Sequence, residues 1–284
     1  MKVIITGASG FLGQHLCAKL TALKLDVLAV SRKKFSTPAE QLLVQDYTAL
    51  KPQPNAICIH LANDHIISNY EHSFNQLKKD SLQITQHLIS CNFERYLFIS
   101  SAAVFNTGPE DHSEKNTPHP PNKYGHLKLQ QEQLFQLSKK ASIIRPSNIY
   151  GPGMSSANVL SKILMQIKSD SQPLKINNTQ SIRSFIYIDD VVEGIKKIIE
   201  NKTNEIFHLS TNEATSVQEI IEVILKFFHQ TNRRIEIENP NQIISRLVLN
   251  ATETHKKLHW TPQFNIENGL NQFLNLYGNT YYSK

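Results

Sequence analysis

Near its start the chain reads Val3-Ile4-Ile5-Thr6-Gly7-Ala8-Ser9-Gly10-Phe11-Leu12-Gly13, and this stretch decides the fold. Val3 to Thr6 is a short apolar, β-branched run. A glycine-rich turn follows it, and then a periodic stretch from Phe11 to Leu23, which together read as strand, turn and helix. Gly7, Gly10 and Gly13 stand where a tight turn, the close approach of a diphosphate and helix-on-strand packing each exclude a side chain. The helix that follows offers its N-terminal amides to that anion. The same spacing also suits an ordinary strand-to-helix turn, so its position after the first strand carries the reading.

Further along the chain, Val27 to Val30, Ala56 to Leu61 and Tyr96 to Ser100 read as strands, separated by helical patterns at Phe74 to Ile89 and Lys123 to Leu137. Strands alternating with helices imply an α/β fold with a doubly wound parallel sheet of the Rossmann type. Ser142 to Arg145 reads as a further strand. Past the turn Gly151-Pro152-Gly153 the strict alternation lapses, and a smaller interleaved α/β lobe begins. Phe185 to Ile188 and Ile206 to Leu209 read as strands returning to the main body. The expected division is therefore a dinucleotide-binding domain over 1–148, with returning segments near 183–210, and a substrate lobe over 149–182 and 211–284. Thr117 to Pro121, with three prolines, reads as a loop before a helix.

Composition narrows the function classes. At 284 residues and 40% hydrophobic content the chain can bury a substantial core. No stretch approaches the roughly 18 unbroken apolar residues of a membrane span, and no signal-peptide layout precedes the first strand, so a cytoplasmic protein is expected. Cys17, Cys58 and Cys91 are too widely spaced for a disulfide framework or a zinc site and are expected to pack in the core. The 12 histidines form no metal-ligand pattern, so no metal is expected. The net charge of +6 is scattered; it suits a dianionic diphosphate ligand better than nucleic acid.

Three further features carry chemistry. After the second strand, a site selective for NAD would carry an acid to bind the adenosine ribose, but the residues are Ser31-Arg32-Lys33. A carboxylate would repel a 2′-phosphate, whereas Arg32 can grip one with a forked hydrogen bond, so NADP(H) is expected to be preferred, with NAD(H) possible. The alternative is an exposed basic turn. Tyr124 and Lys128 lie four apart in a helical stretch and so share a face. A neighbouring ammonium favours tyrosinate and fits the phenol for acid/base work near neutral pH. Ser100-Ser101 would lie at the carboxyl end of the sheet, where open α/β folds hold their ligands.

Together these residues resemble the extended short-chain dehydrogenase/reductases, the NAD(P)-dependent epimerase/dehydratase family, over nearly the whole chain. The resemblance rests on TGASGFLG, on Ile59-His60-Leu61-Ala62, on Ser100-Ser101-Ala102-Ala103-Val104-Phe105 and on the Tyr124/Lys128 pair. It continues in Arg145-Pro146-Ser147-Asn148-Ile149-Tyr150-Gly151-Pro152-Gly153 and in Arg183-Ser184-Phe185-Ile186-Tyr187-Ile188-Asp189-Asp190-Val191. Leu258-His259-Trp260-Thr261-Pro262 and Asn268-Gly269-Leu270 are similar to the family's closing segment.

That resemblance implies a catalytic Ser101, Tyr124 and Lys128, with Lys128 also holding the nicotinamide ribose. It implies cofactor contacts from Gly7, Ser9, Gly10, Phe11, Leu12, Gly13, Ser31, Arg32, Asp46, Tyr47, Leu61, Ala62 and Pro146, with Asp46 at the adenine. Asn148 and Arg183 would join Ser101 and Tyr124 on the substrate side, Arg183 at the diphosphate of a nucleotide-linked sugar. A homodimer is usual in the family. Ser81 and Ile84 replace the family's Asn and Gly in the helix segment Ser81 to Thr85, Phe105-Asn106 replaces Tyr-Gly, and Ser184 replaces an acid after Arg183. Ala102-Ala103 stands where a 4,6-dehydratase would carry an Asp-Glu pair and an epimerase-reductase a Cys. The expected activity is therefore an NADPH-dependent 4-keto-sugar reductase; the alternatives are a nucleotide-sugar 4-epimerase and a non-catalytic dinucleotide sensor.

Overall fold

The computed structural model describes residues 1–62, 74–170, 172–240 and 244–281. The strands β1 (Lys2–Thr6), β2 (Asp26–Ser31), β4 (Ala56–His60), β5 (Arg95–Ile99) and β6 (Ala141–Pro146) are buried along nearly their whole length. Such runs belong in a parallel sheet covered on both faces. With the edge strand β3 (Glu40–Leu43) and with β11 (Ile206–Leu209) they form a seven-stranded sheet in the order β11-β6-β5-β4-β1-β2-β3. Every pairing in it is parallel.

Side chains alternate between two cores, as the period of a strand requires. Val3, Ile5, Ala29, Ile57, Ile59 and Leu97 pack with Leu12, Leu16 and Leu20 of α1 (Phe11–Ala22) and Val191, Ile195 and Ile198 of α5 (Ile188–Asn201). Ile4, Leu28, Val30, Cys58, Tyr96 and Phe98 face the other way. They meet Leu88 of α2 (Phe74–Ser90) and Phe135 of α3 (Lys123–Leu137). Each valine, leucine, isoleucine or phenylalanine among them, fully buried, contributes about 1.5–3 kcal/mol. All three cysteines are free and buried in these cores.

From β1 the chain runs one way to β2 and β3, and the other way to β4, β5, β6 and β11. The switch point lies between β1 and β4, and at the carboxyl ends of such strands an open α/β sheet forms its binding crevice.

One strand was not expected from the sequence, and one expectation about the strands needs correction. Glu40 to Leu43 is a strand although nothing in Glu-Gln-Leu-Leu alternates; it is a largely exposed edge that pairs on one side only, so no buried face shapes its sequence. Phe185 to Ile188 does not return to the main sheet. Phe185 to Tyr187 forms β10, which pairs in parallel with β7 (Asn148–Tyr150) in a separate two-stranded sheet, and Ile188 opens α5. The return is made by α5, which packs on α1, and by β11.

The remaining elements lie outside the seven-stranded sheet. They are α4 (Val159–Lys168), β8 (Leu174–Ile176), β9 (Ile182–Arg183), β12 (Thr215–Ser216), α6 (Val217–Phe227), β13 (Ile235–Ile237), β14 (Arg246–Leu247), α7 (Thr252–Leu258) and α8 (Ile266–Tyr281). β8 pairs with β13, and β9 lies between β12 and β14. Ser216 opens α6 with a reciprocal capping box to Glu219. The closing segment is tied back by Asp190, whose carboxylate accepts the amides of Gln263 and Phe264 at 2.8 and 3.1 Å. No helix among the described residues is long and apolar enough to cross a membrane.

Candidate active site

The ends of β1, β4 and β5 place the glycine turn, Leu61-Ala62 and Ser100-Ser101 side by side. Gly7 has φ +74, and a Cβ there would stand 2.7 Å from the Ala62 amide nitrogen and 2.8 Å from its Cα. No other residue type meets both the positive φ and that approach without strain. The Leu61 amide bonds the Thr6 carbonyl at 3.1 Å, which fixes the seam between the two segments. Gly10 caps α1 without a side-chain bond, and the first turn of that helix holds no acid. Leu12 is buried, and Phe11 meets His15 edge-on, while His15 Nε2 bonds the Pro152 carbonyl at 2.9 Å. The turn therefore offers backbone amides and a cradle that a Cβ would fill. Both suit a dinucleotide diphosphate.

Ser31 is buried, and its Oγ donates to the Lys33 carbonyl at 2.7 Å, while Arg32 is exposed. Tyr47 brings Arg32 to the glycine turn. Burial raises the Tyr47 phenol above its ordinary pKa, and the Arg32 charge, a bond from the Gly7 amide and a bond from Arg32 oppose the rise. Asp46 caps the short turn that holds Tyr47, accepting the Thr48 amide at 2.8 Å. Nothing in the one-dimensional pattern announced that Arg32 would act on the Tyr47 phenol; the segments after β2 and β3 come together because the two strands run parallel.

Ser101 begins a 3-10 turn over Ala102 to Val104, its Oγ accepting the Ala103 amide at 3.1 Å. Asn122 caps α3 through the Gly125 amide at 2.9 Å, and the first turn of that helix presents Tyr124. A Cβ on Gly125 would lie 2.1 Å from the Ala103 carbonyl oxygen, so the helix start rests directly on the Ser101 turn. Ser101 is the neighbour whose side chain draws the Tyr124 phenol down. Lys128 is buried, donates to the Ile99 carbonyl at 2.8 Å, and lies 5.9 Å from the Tyr124 ring centroid. Ser101, Tyr124 and Lys128 thus converge.

Electrostatics reverse the expectation that Lys128 draws Tyr124 toward tyrosinate. Burial pushes the Tyr124 phenol up to about 12, and the group that pulls it down is Ser101. Burial also brings the Lys128 ammonium down to about 7, with Glu132 opposing the fall. A half-ionised lysine bonded to a carbonyl is a weak counter-charge for a phenol.

Behind this group lies a polar network whose importance sequence reading did not reveal. Glu132, one helical turn past Lys128, is fully buried. It accepts Ser100 Oγ at 2.5 Å and forms a bidentate pair with Arg145. His60 pairs its Nδ1 with Thr6 Oγ1 at 2.7 Å and stacks on Phe98; burial lowers it to about 3, so it is neutral near pH 7. The available signal was the four-residue step from Lys128 to Glu132, which puts both on one helix face.

Of the residues expected near a substrate, Asn148 is exposed, with its Nδ2 on the Ser184 carbonyl at 3.1 Å, and Pro146 closes β6. Arg183 is half-buried and donates to the Ile182 and Ser245 carbonyls and to Ser245 Oγ, each at 2.7 Å. Ser184 Oγ, in the place of the family's acid, accepts the Leu249 amide at 3.2 Å. Thr85 and Gln131 join α2 to α3 by a bond of 3.0 Å, beside the departures at Ser81 and Ile84.

Residues 3–210 match the model of the NAD dependent epimerase/dehydratase family. The chain belongs to that family. It is an extended short-chain dehydrogenase/reductase on a Rossmann-like fold. Among curated relatives, an uncharacterized UDP-glucose epimerase of Bacillus subtilis is 24% identical, over 95% of this chain and 96% of that protein. Among solved structures, MoeE5 in complex with UDP-glucuronic acid and NAD superposes with a TM-score of 0.86 at 21% identity, covering 99% of this chain and all of that one. UDP-glucuronic acid 4-epimerase from Bacillus cereus, in complex with UDP-glucuronic acid and NAD, superposes with a TM-score of 0.85 at 20% identity, over 99% of this chain and 100% of that one.

Proposed function

We propose that this family member is a nucleotide-sugar 4-epimerase that works with a bound nicotinamide dinucleotide. The observation that carries the proposal is the convergence of Ser101, Tyr124 and Lys128, with the start of α3 resting on the Ser101 turn and Lys128 one helical turn from Tyr124. The names of the relatives then weigh for epimerisation over the reductase that the sequence favoured. Tyr124 takes the proton of the sugar hydroxyl and later gives it back, which needs one group able to act in both directions. Ser101 holds the sugar oxygen, and Lys128 orients the dinucleotide ribose. The glycine turn at Gly7 and Gly10 and the Lys128 side chain would hold the dinucleotide, which would supply reversible hydride acceptance from the sugar carbon and, when oxidised, a positive charge favouring tyrosinate. Asn148 and Arg183 are proposed on the substrate side, and a homodimer belongs to the same reading on resemblance alone.

Incubation with UDP-glucose and with UDP-glucuronic acid tests it. The expected product has unchanged mass and altered stereochemistry, with no net change at the nicotinamide absorbance. A product heavier by two hydrogens, formed from a 4-keto sugar with stoichiometric loss of NADPH, replaces this reading by the reductase.

One observation favours that second reading, the cation at residue 32. With Ser31 in the acid's place, Arg32 is expected to favour the 2′-phosphate, as a free NADPH-consuming reductase would require. Fluorescence titration should then find NADP(H) bound more tightly than NAD(H). Arg32→Ala should cost about tenfold in NADP(H) affinity and leave NAD(H) nearly unchanged. Equal or NAD-favouring affinity in the wild type removes the argument.

A further inference from the structure

The buried carboxylate of Glu132 touches every segment that carries the acid/base group. Its Oε1 accepts Ser100 Oγ at 2.5 Å and Arg145 Nε at 2.9 Å, and its Oε2 accepts Arg145 Nη2 at 2.6 Å. Ser100 is bonded to Ser101, and its amide donates to the Ile144 carbonyl at 2.7 Å. Arg145 lies 5.0 Å from the Phe105 ring, which closes the 3-10 turn opened by Ser101 and stacks on His112 at 4.5 Å. One side chain therefore joins β5, α3 and β6 immediately behind Ser101, Tyr124 and Lys128.

The same carboxylate is an anion for Lys128. Among the described residues, the ionisable groups around that ammonium are Tyr124 and Glu132 on α3, His60 on β4 and, across Glu132, Arg145 on β6 with His208 of β11 near it. Both histidines are held down to about 3 by burial and are neutral. Burial lowers the Lys128 ammonium, and Glu132, the carboxylate of the set, opposes that fall.

We propose that Glu132 is a positioning residue that fixes the Ser101 turn against the start of α3 through Ser100 and Arg145 and places a negative charge beside the Lys128 ammonium. Its role in turnover rests on the proposed reaction; its hold on Lys128 does not.

The two halves are tested separately. In the protein labelled with 13C-lysine, the Lys128 resonance, assigned by its loss in Lys128→Met, should titrate near 7 in the wild type. In Glu132→Gln the midpoint should fall by about one pH unit or more. That variant leaves Arg145 buried without its partner, so Glu132→Gln/Arg145→Gln is measured beside it. The double variant removes both charges, should melt near the wild-type temperature, and should keep the lowered midpoint. Ser100→Ala removes one donor, leaves no charge unpaired, and is expected to lower kcat about tenfold at unchanged dinucleotide KM. In Glu132→Gln the alkaline limb of turnover should move to lower pH with the Lys128 midpoint. An unshifted Lys128 midpoint in a folded Glu132 variant, or wild-type kcat in Ser100→Ala, overturns the proposal. A shifted midpoint in a protein that turns over no nucleotide sugar removes the proposed reaction and keeps the assignment of Glu132 to Lys128.

Discussion

Tyr124→Phe is expected to lower turnover by about 10²–10⁴-fold while dinucleotide affinity stays within a few-fold of the wild type. The substitution removes the transferable proton, and it keeps the ring that packs near Lys128. Lys128→Ala should damage both quantities, because it also empties the position above Phe98, where Nζ lies 4.8 Å from the ring centroid. Kinetics on an identified substrate, paired with fluorescence titration of the dinucleotide, separates the two variants. Near-wild-type turnover in Tyr124→Phe would end the acid/base assignment. Since burial holds the phenol near 12, the base form is the scarce one at neutral pH. The limb of kcat that reports the base should therefore rise with increasing pH, and this sign follows from the direction of the shift.

Gly125→Ala is expected to be nearly as damaging, by a different route. The added methyl would lie 2.1 Å from the Ala103 carbonyl oxygen and 2.8 Å from Pro120 Cβ, so either the helix start or the Ser101 turn has to move. Overpacking of this kind costs about 1–3 kcal/mol, and an ångström of displacement between Ser101 and Tyr124 is worth about 100-fold in rate. Thermal melting and kcat, measured on the same preparation, check both numbers. A variant that keeps the wild-type melting temperature and kcat would show that the contact between the Ser101 turn and α3 is not what holds the pair together.

The amino-acid sequence determined the parts of this protein that rest on local chemistry. The turn at Gly7, the alternation of apolar strands with helices and the four-residue step from Tyr124 to Lys128 are each readable because their physical cause lies within a few residues. The strand at Ile206 to Leu209 and the helix at Lys123 to Leu137 have the bounds the periodicity predicts, since each has a continuously shaped face to bury. Phe185 to Tyr187 was legible as a strand, yet its partner was not, because nothing in three apolar residues distinguishes the main sheet from β7.

The tertiary structure alone decided the rest. The short exposed edge of β3 carries no pattern. Glu132 reads as one more polar residue on a helix until Ser100 and Arg145, 32 and 13 positions away, are brought to its two oxygens. The protonation of the site was settled the same way. Spacing put a lysine beside Tyr124, and only the depth of burial determined that the phenol rises while the ammonium falls, because desolvation depends on everything packed around a group and not on its neighbours in the chain.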